Sequence, residues 1–290
     1  MPKSILVPIA GGGGDKAHLR AALAIARRSG AHLDIVHVRP DSGQIAAAAA
    51  SAAYGSPDFI GPLLEQLEKD AQRRFESAKA TFEAFVKEEN LEQRERPNGL
   101  AVVTTACLYD TGYANSRVAA LGRLHDLLVV GHAPEETTGT LETALMESGR
   151  PVLVMPADRS EVAARTVVVA WKDSAEAARA VTAAMPFLAA AERVVILEIA
   201  EEEIDAAAKG QTSGERLAAS LAWHGIKAES RVVEPGDRPA PDALLATAHE
   251  IAADLLVMGA YGHSRIREMI FGGFTRRMLR GADLPVLMFH

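Results

Sequence analysis

The chain has 290 residues, of which 48% are hydrophobic and 24% are charged, a composition typical of a folded globular protein rather than a disordered one. Its net charge of −7 and its pI near 5.8 argue against a general nucleic-acid binder and against a protein that binds anionic membranes. The single cysteine, Cys107, excludes an intrachain disulfide and a multi-cysteine metal site.

The beginning of the chain lacks the pattern of a secretory signal, because the apolar run at residues 5–7 is too short. No stretch reaches the roughly 18 uninterrupted apolar residues that a membrane-spanning helix needs. A lone cysteine also suits a reducing compartment. We therefore expect a cytoplasmic protein with no membrane contact.

Short apolar runs alternate with helical patterns along the first half of the chain. The runs are nearly continuous in Val, Ile and Leu, which is typical of strands covered on both faces. Strands are predicted at residues 3–9, 32–38, 100–105, 127–131 and 151–155. Helices are predicted at residues 16–29, 63–90, 112–122 and 140–147. We interpret residues 41–62, rich in Ala, Gly, Ser and Pro, as an inserted loop with room for a short helix.

Four consecutive glycines follow the first predicted strand, in the stretch IAGGGGDKAHL at residues 9–19. The stretch resembles a phosphate loop but lacks the G-x4-G-K-[ST] pattern. Two readings stay open: a ligand contact, or a flexible turn in which Asp15 caps the following helix.

The second half repeats the first. HDLLVVGH at residues 125–132 matches ADLLVMGA at 253–260, and PVLVM at 151–155 matches PVLMF at 285–289. Two further runs near the start of each half match in the same order. In this half, strands are predicted at residues 166–171, 193–199, 228–233, 254–258 and 285–289. Helices are predicted at residues 174–190, 212–224, 241–253 and 273–281.

The alternation of strand and helix in both halves predicts parallel pairing through helical crossovers. The fold class is therefore α/β, with two tandem doubly wound domains, each an open five-stranded parallel sheet flanked by helices. We place the first domain at residues 1–156, including the insertion, and the second at 165–290.

The two halves differ most in the segment after the fourth strand. Pro151 lies 20 positions after Gly131, whereas Pro285 lies 26 positions after Gly259. The longer segment, GAYGHSRIREMIFGGFT, carries four glycines and two arginines, and the shorter one carries acids instead. Ligands of open α/β sheets bind beyond the carboxyl ends of the strands, and backbone amides near a helix start favour phosphate. We assign any phosphate site to the second domain, because the first lacks this segment; a long structural turn is the alternative.

The spacing G-x2-G-x9-G in this segment, between DLLVMG and LPVLMF, resembles that of the universal stress protein family. The whole chain is similar to the tandem, two-domain members. In the ATP-binding branch, the pattern G-x2-G-x9-G-(S/T) holds the phosphates and ribose of ATP. The resemblance implies a site at the following residues: Gly259, Gly262, His263, Ser264, Arg265, Gly272, Gly273 and Thr275.

Two positions depart from the family pattern. Gly273 stands where the family has Ser or Thr, and Thr275 offers a hydroxyl two residues later. Lys172 stands where the family has a nucleotide-contacting aspartate, with Asp173 one residue further on. The resemblance also implies that main-chain groups near Ile199 hold adenine.

The resemblance implies a cytoplasmic stress-response regulator that binds ATP, ADP or AMP, alone or with Mg²⁺, and acts on protein clients that the sequence does not identify. It also implies that the two halves form a pseudo-dimer through their last strands, with a homodimer of the whole chain left open.

Two other hypotheses compete with the nucleotide-binding regulator. Lys172 and Gly273 favour an interaction protein that binds no nucleotide. A weak ATP hydrolase would need a metal-holding carboxylate, for which Asp173 is the candidate. The sequence carries no G-x-S-x-G motif, no H-E-x-x-H motif and no Cys/His metal spacing, so we assign no catalytic and no metal-binding residue.

Overall fold

The computed structural model describes residues 1–53, 56–96, 102–131, 138–200, 211–260 and 273–290. Within them the chain forms two compact units, Pro2–Arg150 and Pro151–His290, with Met1 grouped with the second.

The first unit alternates strands and helices. Its strands are β1 (Ser4–Pro8), β2 (His32–Arg39), the two-residue β3 (Glu92–Gln93), β4 (Thr104–Thr111) and β5 (Leu127–Gly131). Its helices are α1 (Asp15–Ser29), α2 (Ser42–Ala52), α3 (Pro57–Glu89), α4 (Ala114–Gly122) and α5 (Thr138–Glu147).

The second unit has the same alternation. Its strands are β6 (Val152–Met155), β7 (Thr166–Trp171), β8 (Arg193–Ile199), β9 (Ala228–Val233), β10 (Leu255–Gly259) and β11 (Val286–Phe289). Its helices are α6 (Ala175–Leu188), α7 (Ser213–Ala222), α8 (Ala240–Glu250) and α9 (Gly273–Gly281).

The strands of the first unit are all parallel, in the order β3-β4-β2-β1-β5. Those of the second run in the order β11-β10-β7-β8-β9 and are also parallel. The central strands β1 and β7 are buried along most of their length, which explains their continuous apolar character. The predicted α/β class with a mostly parallel sheet flanked by helices is confirmed.

β6 departs from the parallel pattern. It pairs antiparallel with β11, with Leu153 opposite Leu287, and so lies within the second unit. The predicted association of the apolar runs at 151–155 and 285–289 is confirmed as this strand pair. Residues 151–155 form a strand as predicted, and this strand is grouped with the second unit, where it satisfies the unpaired backbone groups along the edge of β11.

Two further predictions in the first half need correction. The strand predicted at residues 100–105 begins at Thr104 and runs to Thr111, through residues of lower hydropathy, because it pairs along all eight positions with β2. The inserted stretch at 41–62 is largely helical rather than a loop. Asp41 and Gln44 form a capping box that starts α2, and Ser56 precedes α3, which begins at Pro57.

No helix among the described residues combines the length and the apolar character needed to cross a membrane.

Candidate functional site

The strand order of the second unit reverses between β7 and β10. β7 leads through α6 to β8 on one side, and β10 leads through α9 to β11 on the other. Ala170 pairs with Met258, so Trp171 and Gly259 leave the sheet side by side at its carboxyl edge. A reversal of this kind opens the crevice in which doubly wound folds bind ligands.

Gly259 is required by close packing at this point. A Cβ atom on Gly259 would lie 2.6 Å from the backbone nitrogen of Ala177 and 2.8 Å from the carbonyl carbon of Glu176, in the first turn of α6. The chain beyond it remains anchored, because the Ala260 N–H donates to the Phe289 carbonyl oxygen at 2.8 Å. The first glycine of the spaced pattern thus brings β10 against the start of a helix.

The loop after β7 carries the two residues predicted to replace the family aspartate. Lys172 and Asp173 are both exposed. The Asp173 carboxylate lies 3.5 Å from the Arg216 guanidinium, a weak and exposed pair. Ser174 accepts a hydrogen bond from the Ala177 N–H at 3.2 Å and so caps α6.

A buried carboxylate at the end of β8 was missed by the sequence reasoning. Glu198 is 9% exposed and accepts hydrogen bonds from the Ser213 hydroxyl and, at 3.0 Å, from the Gly214 N–H. Ser213 in turn accepts from the indole N–H of Trp171 at 3.0 Å. One signal was available: Glu198 is the only acidic residue in the apolar strand RVVILEI.

This network determines what the start of α7 can bind. Glu198 accepts from one first-turn amide, that of Gly214, as an internal anion, and Thr212 adds a capping box with Glu215. It also holds the Trp171 ring at the strand edge through the hydrogen bond from its indole N–H to Ser213. Ile199 ends β8 opposite Val233, and the next N–H, of Ala200, donates to the Val233 carbonyl.

The remaining predicted residues belong to the segment after Gly259. Gly262, His263, Ser264, Arg265 and Gly272 lie outside the described residues.

α9 begins at Gly273, which is exposed. No described atom lies within 4 Å of a Cβ built on Gly273. Thr275 is 5% exposed, which puts its side chain in the packed interior.

The described part of α9 is basic. It carries Arg276, Arg277 and Arg280 and no acidic residue. Arg277 forms a bidentate pair with Asp242 of α8 at 2.7 and 2.6 Å, and this pair raises the pKa of Arg277 and lowers that of Asp242. This exposed pair connects α9 to α8.

Residues 163–290 match the model of the universal stress protein family. This part of the chain is therefore similar to universal stress protein domains.

A curated relative supports this assignment. The universal stress protein Slr1230 of Synechocystis is 45% identical over 51 residues, which span 18% of this chain and 18% of that relative.

Solved structures extend the similarity of fold to the whole chain. A universal stress protein from Archaeoglobus fulgidus matches with a TM-score of 0.63 and 17% identity, over 99% of this chain and 95% of that one. A putative universal stress protein from Pseudomonas aeruginosa matches with a TM-score of 0.57 and 17% identity, over 99% and 93%. At such identity the match concerns the fold alone. The residues that match the family model thus include the candidate site, and the first unit lies outside that match.

Proposed function

We propose that the universal stress protein domain at residues 165–290 binds ATP or a related adenine nucleotide, ADP or AMP. The nucleotide occupies the crevice between the ends of β7 and β10. In this proposal the protein is a cytoplasmic stress-response regulator that acts through binding rather than catalysis.

The close packing of Gly259 against α6 is the observation that carries the proposal. It brings the β10 backbone, the start of α6 and the exposed Lys172 to one edge of the sheet, at the strand-order reversal. The G-x2-G-x9-G spacing begins at this same glycine. Ser174 and Glu198 each already accept one N–H at a neighbouring helix start, that of Ala177 in α6 and that of Gly214 in α7.

Gly273 gives the proposal its sharpest test, since the family pattern has a hydroxyl at this position. Gly273→Ser introduces that hydroxyl at an exposed position where no described atom interferes. We expect ATP to bind about fivefold more tightly to this variant, the effect of one added hydrogen bond of about 1 kcal/mol. Isothermal titration with ATP and ADP, with and without Mg²⁺, measures the change.

Gly13→Ser is the matched control, because it makes the same exchange at an open glycine of the first unit. It should leave the affinity unchanged. Gly259→Val should weaken ATP binding at least tenfold, since its side chain would displace the first turn of α6. If folded wild type and Gly273→Ser both give no heat with either nucleotide, the protein is an interaction module that binds no nucleotide.

A further inference from the structure

The first unit has its own strand-order reversal, between β1 and β5. β1 leads through α1 to β2 on one side, and β5 lies on the other. The glycine run at residues 11–14 joins β1 to α1, so it lies at the edge where a doubly wound sheet binds ligands. This is the loop for which the sequence left two readings open.

The amides of this loop converge on a carboxylate of the chain itself. Asp15 is 5% exposed, and its two oxygens accept hydrogen bonds from three backbone N–H groups. The donors are Ala10 at 3.1 Å, Gly11 at 2.7 Å and Gly12 at 3.0 Å. Successive backbone N–H groups that point to one centre form an anion-binding nest. Here the anion is already present as a side chain.

A second buried polar group lies beside the nest. The His18 imidazole is 7% exposed and fits between two glycines: a Cβ on Gly14 would lie 3.3 Å from its Cε1 atom, and a Cβ on Gly131 only 1.7 Å. Among the described residues its Nε2 atom has no hydrogen-bond partner. Burial lowers the pKa of His18, although the nearby Asp15 charge acts in the opposite direction. An unsatisfied buried nitrogen is costly, so its presence at the end of β5 marks a place suited to a polar ligand.

Helix α3 closes the outer side of the same edge. Gly11 has φ +78°, and its Cα faces the Arg74 carbonyl so closely that a Cβ would lie 2.1 Å from the oxygen. The next residue, Phe75, packs its ring 6.0 Å from His37 on β2 and 5.2 Å from Tyr109 on β4. Aromatic side chains thus cover the ends of β2 and β4.

We propose that the glycine loop of the first unit is an oxyanion-binding nest, and that the Asp15 carboxylate occupies it in the place of an external ligand. The ligand class is a small oxyanion: a carboxylate or a phosphate group. Asp15 excludes such ligands from the glycine loop, and α3 covers the outer side of this loop. The proposal is independent of nucleotide binding by the second domain.

Chemical rescue tests the proposal. Asp15→Ala removes the carboxylate and leaves the three N–H groups with a gap of the size of a formate ion. We expect the melting temperature of this variant to rise by about 3 °C in ~100 mM sodium formate relative to sodium chloride of equal ionic strength, because an anion that binds only the folded state stabilises it. Inorganic phosphate should act in the same direction.

Two controls isolate the nest. Asp41→Ala removes a carboxylate that caps helix α2 at an exposed position, and should show no specific response to formate. The wild type in phosphate reports any phosphate site of the second domain, so the excess response of Asp15→Ala over the wild type belongs to the first unit alone.

If Asp15→Ala does not fold in chloride, the yield of folded protein on refolding in formate replaces the melting temperature. Asp15→Ser, whose hydroxyl replaces only part of the carboxylate, provides a milder variant with a smaller expected response. A formate response of Asp15→Ala and Asp15→Ser equal to that of Asp41→Ala, or a failure of formate to improve refolding, would overturn the proposal.

Discussion

Gly11→Ala is expected to lower the free energy of unfolding by about 3 kcal/mol, whereas Gly12→Ala should change it by less than ~1 kcal/mol. The two glycines are adjacent but differ in their surroundings. Gly11 has φ +78° and faces the Arg74 carbonyl of α3, whose oxygen would lie 2.1 Å from a new Cβ. At Gly12 no described atom lies within 4 Å of that position. A methyl group at Gly11 must therefore displace a helix backbone as well as adopt a left-handed conformation.

Urea unfolding followed by circular dichroism measures both variants against the wild type. Because the chain contains two compact units, the transition that changes should be assigned by hydrogen exchange of β1 and α3 amides. Equal stability of Gly11→Ala and Gly12→Ala would show that α3 does not seal the glycine loop. In that case Asp15 alone would exclude oxyanions from the glycine loop.

Asp34→Ala is expected to cost about 3 kcal/mol near pH 6, the effect of breaking a buried charged pair. Asp34 lies between two imidazoles, with His125 Nε2 at 2.9 Å and His32 Nε2 at 3.1 Å. The other ring nitrogen of His125 lies 2.9 Å from the Leu121 carbonyl oxygen. Because a carbonyl and an ionised carboxylate can only accept, both nitrogens of His125 donate and the ring carries a positive charge.

The pKa values agree with this charge assignment. Burial opposes ionisation of Asp34, but hydrogen bonds from His125 and His32 outweigh it and hold its pKa far below the usual range. Burial likewise lowers the pKa of His125, but the hydrogen bonds to Asp34 and to the Leu121 carbonyl raise it overall.

The signs of these shifts define a pH window. The Asp34 contribution is complete above about pH 4 and is lost as the pH falls through its lowered pKa. The His125 contribution is complete below about pH 6.5 and is lost as the pH rises through its raised pKa. The stability difference between wild type and Asp34→Ala should therefore be largest between these limits and should shrink at alkaline pH.

His249 and Asp283 provide the matched control. Their side chains are 2.6 Å apart but 47% and 62% exposed, so Asp283→Ala should cost less than ~1 kcal/mol. A cost for Asp34→Ala that equals that of Asp283→Ala, or one that does not vary between pH 5 and pH 9, would contradict a buried charged pair at Asp34.

Much of the fold follows from local sequence signals. Strands β1, β7, β8 and β10 are short, continuous apolar runs, and helix α9 begins at the predicted glycine. Such strands can be recognised from the sequence because a strand buried on both faces needs apolar residues at nearly every position. The bounds of β4 were predicted too early in the chain. The apolar residues Val102 and Val103 precede the strand, whereas many of the residues that form it are partly exposed.

Pairing choices and contacts distant in sequence could not be predicted. The family resemblance implies that the runs at 151–155 and 285–289 associate, but nothing in their composition indicates that they pair antiparallel. The spacing of the glycines indicated Gly259 as a site residue, but the reason for a glycine there, contact with the start of α6, depends on packing. The role of Asp15 likewise depends on three amides that only the folded loop brings together.

The nucleotide content of the purified protein is the most direct test of the central claim, that the second domain binds an adenine nucleotide. Native protein, purified without added nucleotide, is denatured, and the released small molecules are measured by ultraviolet absorbance and chromatography. We expect an adenine nucleotide at up to about one per chain, increased in Gly273→Ser and lost in Gly259→Val. Folded protein that releases no nucleotide, and that also gives no heat on titration with ATP or ADP, would contradict the claim.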